Sequence, residues 1–272
     1  MKKYIAVILA LCLVLAFAAC AKEEPAPTAA PTAAPTVAPT EAPTEAPTEA
    51  PTEAPTEAPV AVMSHDDYVA AELDTQVVVE TYVQAHQSWW DNKITVYAQS
   101  EDGAYFLYNM ACSEEDAAKL TEGTKIRVTG FKTEWAGEVE IMDATFEIIE
   151  GSFVAEPVDL TDSLASDELI AHQNEKVCFK GLTVVASNDA GDAFLYNWDG
   201  SGAAGNNNDL YFKLTDGTNE YTFTVESYLR GEGTDVYTAV TGLNVGDVVD
   251  VEGFLYWYKG VQPHVTSLSV VG

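Results

Sequence analysis

The sequence predicts an all-β fold with short helices, in which two tandem five-stranded barrels stand behind a disordered Pro/Thr/Glu-rich tether. Three observations carry this. First, the stretch Thr124 to Gly137, TKIRVTGFKTEWAG, returns at Asp247 to Gly260 as DVVDVEGFLYWYKG, each copy preceded by a Leu and a Gly (Leu120 and Gly123, Leu243 and Gly246). Second, apolar residues alternate inside both copies: Ile126, Val128 and Gly130 correspond to Val249, Val251 and Gly253. A period of two sets one strand face against a core, and a Gly within it marks the bend of a small barrel. Third, proline recurs every four residues from Pro27 to Pro59 and then stops.

The N-terminus reads as a targeting segment over 1–19. Lys2 and Lys3 form a basic start, Ile5 to Phe17 an unbroken apolar run, and Ala18-Ala19-Cys20 a small-residue cleavage site. The run is too short to cross a ~30 Å hydrocarbon layer. This pattern resembles bacterial lipoprotein signal peptides, in which the Cys is acylated on its sulfur and becomes the mature N-terminus; Cys20 is that position. Phe17 departs from the family pattern, which has an aliphatic residue three before the Cys, and an ordinary secretory signal cut after Ala18 or Ala19 is the alternative. Residues 20–59 hold APT and then TEAP units with Val37 as the one large apolar residue, so ordering them has no apolar compensation. Extended at ~3.1 Å per residue, such a tether reaches on the order of 120 Å. The resemblance implies a location on the outer face of the cell membrane, lipid-anchored and extending into or through the cell wall, with the lipid as the sole membrane contact.

Charge bounds the partners. Of 43 acids and 13 bases, seven acids and three bases precede Val60, leaving 36 against 10, or −26, on the remainder. A field of that sign repels phosphate backbones over about 8–10 Å. Only Lys93, Lys119, Lys125, Arg127 and Lys132 supply cations in the first module, so nucleic acid is not the expected partner. After Cys20 one Cys falls in each module, Cys112 and Cys178, read as buried free thiols rather than a bridge.

The first module, 60–152, runs strand, loop, strand, turn, strand. A Ser64-capped helix precedes Val77 to Ala85; the Trp89-Trp90 loop leads to Ile94 to Ala98; a Glu101-Asp102-Gly103 turn joins it to Tyr105 to Ala111. Ser113 with Glu114, Glu115 and Asp116 starts a short helix, and the repeated strand and a hairpin at Trp135 to Gly137 close the module. The second module, 153–272, follows the same order: a helix from Ser166 to His172, a strand over Val177 to Ala186, and a long loop from Ser187 to Asp209. Strands over Leu210 to Leu214 and Tyr221 to Val225, a helix near Val236 to Leu243 and the closing strands come after it. Three strands, a helix and two strands is the order of an OB barrel. The Gly-Phe strand elements and the passage SEEDAAKLTEGTKIRVTG resemble OB units of secreted nucleases and lipoproteins of Gram-positive bacteria, and no ligand residues carry over with them.

The chain offers little for catalysis. Four scattered histidines, no HExxH or CxxC spacing, no GxSxG and no phosphate-binding Gly loop leave a non-enzyme with no cofactor or metal as the expectation. Gly191-Asp192 and Asn206 to Asp209 offer oxygens for a cation, but a Gly/Asn-rich turn is the simpler account. The aromatics point further. All five tryptophans fall in or beside the loops that flank an OB binding face: Trp89, Trp90 and Trp135 in the first module, Trp198 with Tyr256, Trp257 and Tyr258 in the second. Flat rings beside Asp, Asn and Glu suit sugar faces, so an extracellular glycan is the expected ligand, with a protein partner second. The alternatives are a structural or assembly subunit, with the rings packed into barrel ends or between modules, and OB-type nucleic-acid binding beside a secreted nuclease.

Overall fold

The computed structural model describes residues 61–272; the signal segment, Cys20 and the 20–59 tether lie outside the described residues. The first barrel consists of β1 (Gln76–His86), β2 (Lys93–Gln99), β3 (Ala104–Ala111), β4 (Thr124–Trp135) and β5 (Glu138–Ser152), closed in the order β1-β2-β3-β5-β4. The β3–β5 pairing is parallel and the others are antiparallel, which is OB topology. Val77, Val79, Val96, Leu107, Ile126 and Val128 are completely buried in its interior. Two short helices cap it, α1 (His65–Ala70) and α2 (Glu114–Ala117). The hydroxyls of Ser64 and Ser113 accept from the backbone N–H of Asp67 and Asp116, so the expected N-caps form. Lys132 holds α1 in place: its buried Nζ donates to the carbonyls of Tyr68, Val69 and Ala71 at 2.8–3.0 Å, the groups that a helix end leaves unpaired.

The second barrel repeats the design with additions. Its strands are β6 (Val158–Asp159), β7 (Lys176–Val185), β8 (Phe194–Tyr196), β9 (Leu210–Thr215), β10 (Glu220–Val225), β11 (Val248–Phe254) and β12 (His264–Val270). β7, β9, β10, β12 and β11 close through the β7–β9 pairing, again with one parallel pair, β10–β12, while β6 and β8 extend the sheet. α3 (Asp235–Thr241) lies where α2 lies in the first barrel, before the fourth barrel strand. Two expectations change. The leading helix is a 3-10 helix, Asp167–His172, and the long loop contains β8, because Phe194 to Tyr196 pair with β9 through Phe212 to Leu210.

Both repeated glycines sit at breaks of register. Pairing of β4 with β5 shifts between Thr129 and Phe131, and that of β11 with β12 between Glu252 and Gly253. A Cβ on Gly130 would stand 2.6 Å from Ile141, and one on Gly253 would run into the carbonyl oxygen of His264. Close backbone approach is therefore what these bends require. Cys112 and Cys178 are free and buried.

Candidate aromatic cleft between the barrels

Alternation on β9 and β10 prepares a surface. Leu210, Phe212 and Leu214 point into the second barrel, which turns Tyr211 and Lys213 outward. Tyr211 and Lys213 line, with Thr222 and Thr224 of β10, the floor of a cleft of about 760 Å³. One wall is the loop after β7, contributing Ser187, Leu195 and Trp198, and the other is the loop after β11, contributing Tyr256, Tyr258, Lys259 and Gln262. The first barrel closes the cleft with the equivalent parts of its own face: Gln87 from the loop after β1, Tyr108 from β3 and Trp135 at the hairpin between β4 and β5. The two barrels thus meet around one cleft, through the strands and loops that OB barrels in general use for ligands.

Much of the first barrel's face is occupied by this meeting. Tyr97 stacks on Phe254 with centroids 4.6 Å apart, and Phe106 meets Tyr256 edge-on at 5.3 Å. Ala85, Tyr97, Phe106, Leu229 and Phe254 are buried together as a separate small core, with Tyr256 packed against it. Polar contacts fix the register of the two barrels. Tyr97 Oη lies 2.6 Å from His264 Nδ1, Gln99 accepts from the Lys176 N–H at 2.8 Å, and Lys259 N–H donates to the Ala136 carbonyl at 2.7 Å.

The seven aromatic residues singled out in the sequence divide into three groups. Trp135, Trp198, Tyr256 and Tyr258 reach the cleft, where Trp135 and Tyr258 lie 5.2 Å apart from opposite barrels and Lys259 Nζ sits 5.2 Å from the Tyr258 ring. Trp89 and Trp257 do not: Trp89 is partly buried against the first core with its indole N–H on the Cys112 carbonyl at 2.9 Å, and Trp257 packs against the second core. Trp90 is exposed but lines no part of the cleft. The expectation that Trp89, Trp90 and Trp135 serve the first module's ligand face together is therefore corrected, since Trp89 packs on the core where its N–H finds an acceptor. Tyr108, Tyr211 and Gln262 were missed; the outward phase of Tyr211 on its strand was the available signal.

Charge inside the cleft differs from the charge of the chain. Its cations are Lys213 and Lys259, both from the second barrel. Four of the five counted in the first module are engaged elsewhere: Lys125 and Arg127 on Glu80, Lys119 on Glu115 and Asp116, Lys132 on α1. The acid of the cleft, Glu226, is pushed up to about 7, first by burial and then by Asp209. His264, fully buried, is held down to about 3 and stays neutral. In the long loop, Asn188, Asn207, Asn208 and Asp209 each accept backbone N–H groups of the chain itself, and no cluster of three or more His, Cys, Asp or Glu suited to a metal occurs among the described residues.

Residues 26–61 match the family model described as PT disordered repeat. No curated protein sequence matches the chain. Among solved structures it is similar to the tetrameric p202 HIN2 (13% identity, 74% of this chain and 96% of that one, TM-score 0.30). It is also similar to the Ifi202 HINa domain in complex with 20bp dsDNA (12%, 73% and 98%, 0.33) and to a replication protein A heterotrimer bound to ssDNA (11%, 72% and 49%, 0.28). At these identities the likeness is one of fold. The expectation that sets nucleic acid aside as a partner is corrected where its premise, a charge summed over the whole folded part, meets the local charge of the cleft, which carries Lys213 and Lys259. Its physical weakness is that −26 is a property of the whole body, whereas a ligand meets a cleft with one lysine on its floor and one on its wall.

Proposed function

We propose that the cleft is a binding site for unstacked bases of single-stranded nucleic acid, taking one or two nucleotides between aromatic rings contributed by both barrels. The observation that supports it is the opposition of Trp135 and Tyr258 across a cleft floored by the second barrel's β9 and β10. Base–aromatic stacking contributes ~1–3 kcal/mol per base and is sequence-tolerant, because every base has a π-face. A cleft of about 760 Å³ is of small-ligand size and does not admit a duplex. The strongly acidic exterior disfavours long polyphosphate tracks, which leaves stacking as the main source of affinity.

The protein is, on this proposal, a non-enzymatic binding module carried at the cell surface on a tether acylated at Cys20; the signal-like segment 1–19 supports the anchoring. Cys20→Ala is expected to move the protein from the membrane fraction to the soluble one, and unchanged membrane association would contradict the anchor. For the ligand, fluorescence anisotropy of a labelled single strand of about ten nucleotides, titrated with the full chain, is expected to saturate, while the matching duplex and neutral oligosaccharides do not. Saturation by oligosaccharide alone would overturn the nucleic-acid reading.

A further inference from the structure

Glu138, the first residue of β5, is completely buried where the two barrels touch. Its Oε2 accepts from the backbone N–H of Trp257 at 2.8 Å and from Gln173 Nε2 at 3.2 Å, both groups of the second barrel's segment of the chain. Gln173 Nε2 also donates to the Gly137 carbonyl at 2.9 Å, so the hairpin that presents Trp135 is fastened to the loop that presents Tyr258. Glu138 Oε1, by contrast, is buried with no partner, and so is Asn174 Oδ1, whose side chain borders the same carboxyl. Two buried acceptors without donors are costly. A proton on Oε1 converts one of them into a donor for the other.

Burial and the neighbouring charge work against the ionised form of Glu138 and outweigh the Trp257 N–H and the Asn174 and Gln173 side chains, which favour it. Glu140 lies two residues along on β5, and the tyrosines Tyr68 of α1, Tyr97 of β2 and Tyr256 of the loop after β11 sense its charge; no Lys, Arg or His acts on it among the described residues. We propose that Glu138 is the positioning residue that assembles the cleft, that it does so as the neutral acid, and that loss of its proton to solvent releases the two barrels from each other. A buried carboxylate with no cation beside it draws water in, and water that solvates it competes with the Trp257 and Gln173 N–H groups that tie the hairpin to the second barrel. Burial, the largest influence on this acid, raises it to about 8, which places the release in the mildly alkaline range.

The inference rests on the cleft as a ligand site only for its consequence, so its test uses no ligand. Hydrogen-exchange protection factors of the Trp257 and Lys259 amides in the full chain, corrected for intrinsic exchange, are expected to fall tenfold or more from pH 7 to pH 9.5, while those of Val128 and Val251 in the barrel cores hold. Glu138→Gln, whose amide reproduces the neutral acid's acceptor and donor, is expected to keep Trp257 and Lys259 protected throughout. Constant protection in the wild-type chain, or the same fall in Glu138→Gln, would overturn the inference. Should that variant fail to fold, the wild-type profile alone decides. A junction that responds to pH in a chain that binds no single strand would refute the ligand and retain the clasp.

Discussion

Tyr97 of the first barrel and His264 of the second share a hydrogen bond of 2.6 Å between Oη and Nδ1, and both side chains are buried. The pair joins strand two of one barrel to strand five of the other beneath the cleft. His264 also stacks on Tyr256 at 4.0 Å, so a ring that lines the cleft rests on a ring that holds the barrels together. Cleft and junction are consequently one structure.

Removing the hydroxyl isolates that polar contact. Tyr97→Phe leaves His264 Nδ1 buried without its partner, and the expected loss is ~1–3 kcal/mol. In a folded region of this size that corresponds to roughly 2–4 °C in Tm for each kcal/mol. Calorimetry of the variant checks it, and an unchanged Tm would show that the contact contributes nothing.

Stability should be greatest in mild acid. Burial raises Glu138 to about 8 and Glu140 and Glu226 to about 7, so each binds a proton in the folded chain that it has lost in the unfolded one; their contributions are complete below about 4.5 and disappear as pH rises toward 7–8. His264 has the opposite sign: held at about 3, it contributes above its ordinary 6.5 and loses that contribution as pH falls. Between about 4.5 and 6.5 three groups oppose one, and stability falls as pH rises. A series of melting curves from pH 3 to 9 is expected to peak near pH 4–5. A maximum at pH 7 or above would contradict the protonation states assigned.

Stacking and charge separate in their response to salt. With Lys213 and Lys259 as the cations of the cleft, a single strand should show a log–log salt slope near −1.4, from about −0.7 per phosphate neutralised. Substituting either lysine by Ala is expected to reduce the slope by about 0.7. Anisotropy titrations at several salt concentrations measure this, and a slope steeper than about −4 would indicate a basic track absent from the cleft.

The architecture was legible because each local signal agreed with the global one. The Ile126-Val128-Gly130 and Val249-Val251-Gly253 patterns, the Ser64 and Ser113 caps and the Asp216-Gly217 turn all depend on neighbours in sequence, and all appear in the structure. The cleft was legible in part. Loop position drew attention to Trp135, Trp198, Tyr256 and Tyr258, which line the cleft, but it could not separate them from Trp89 and Trp257, whose fate is decided by an acceptor 23 residues away and by the packing of a second core. That the two faces oppose each other depends on Tyr97, Phe106 and Phe254, residues that read as ordinary strand interior. Charge counted over the module hid Lys213 and Lys259, which matter through position.

One binding site built from both barrels is the central claim, and stoichiometry under substitution tests it most directly. Trp135 is 55% exposed and Tyr258 39%, so replacing either by Ala should alter stability by much less than the ~3–5 kcal/mol of a core aromatic. Titration of the full chain with a labelled single strand, followed by tryptophan quenching, is expected to give one strand per chain. Trp135→Ala and Tyr258→Ala should each weaken it by ~1–3 kcal/mol while Tm holds. Two strands per chain, or affinity untouched by both substitutions, would contradict a shared cleft.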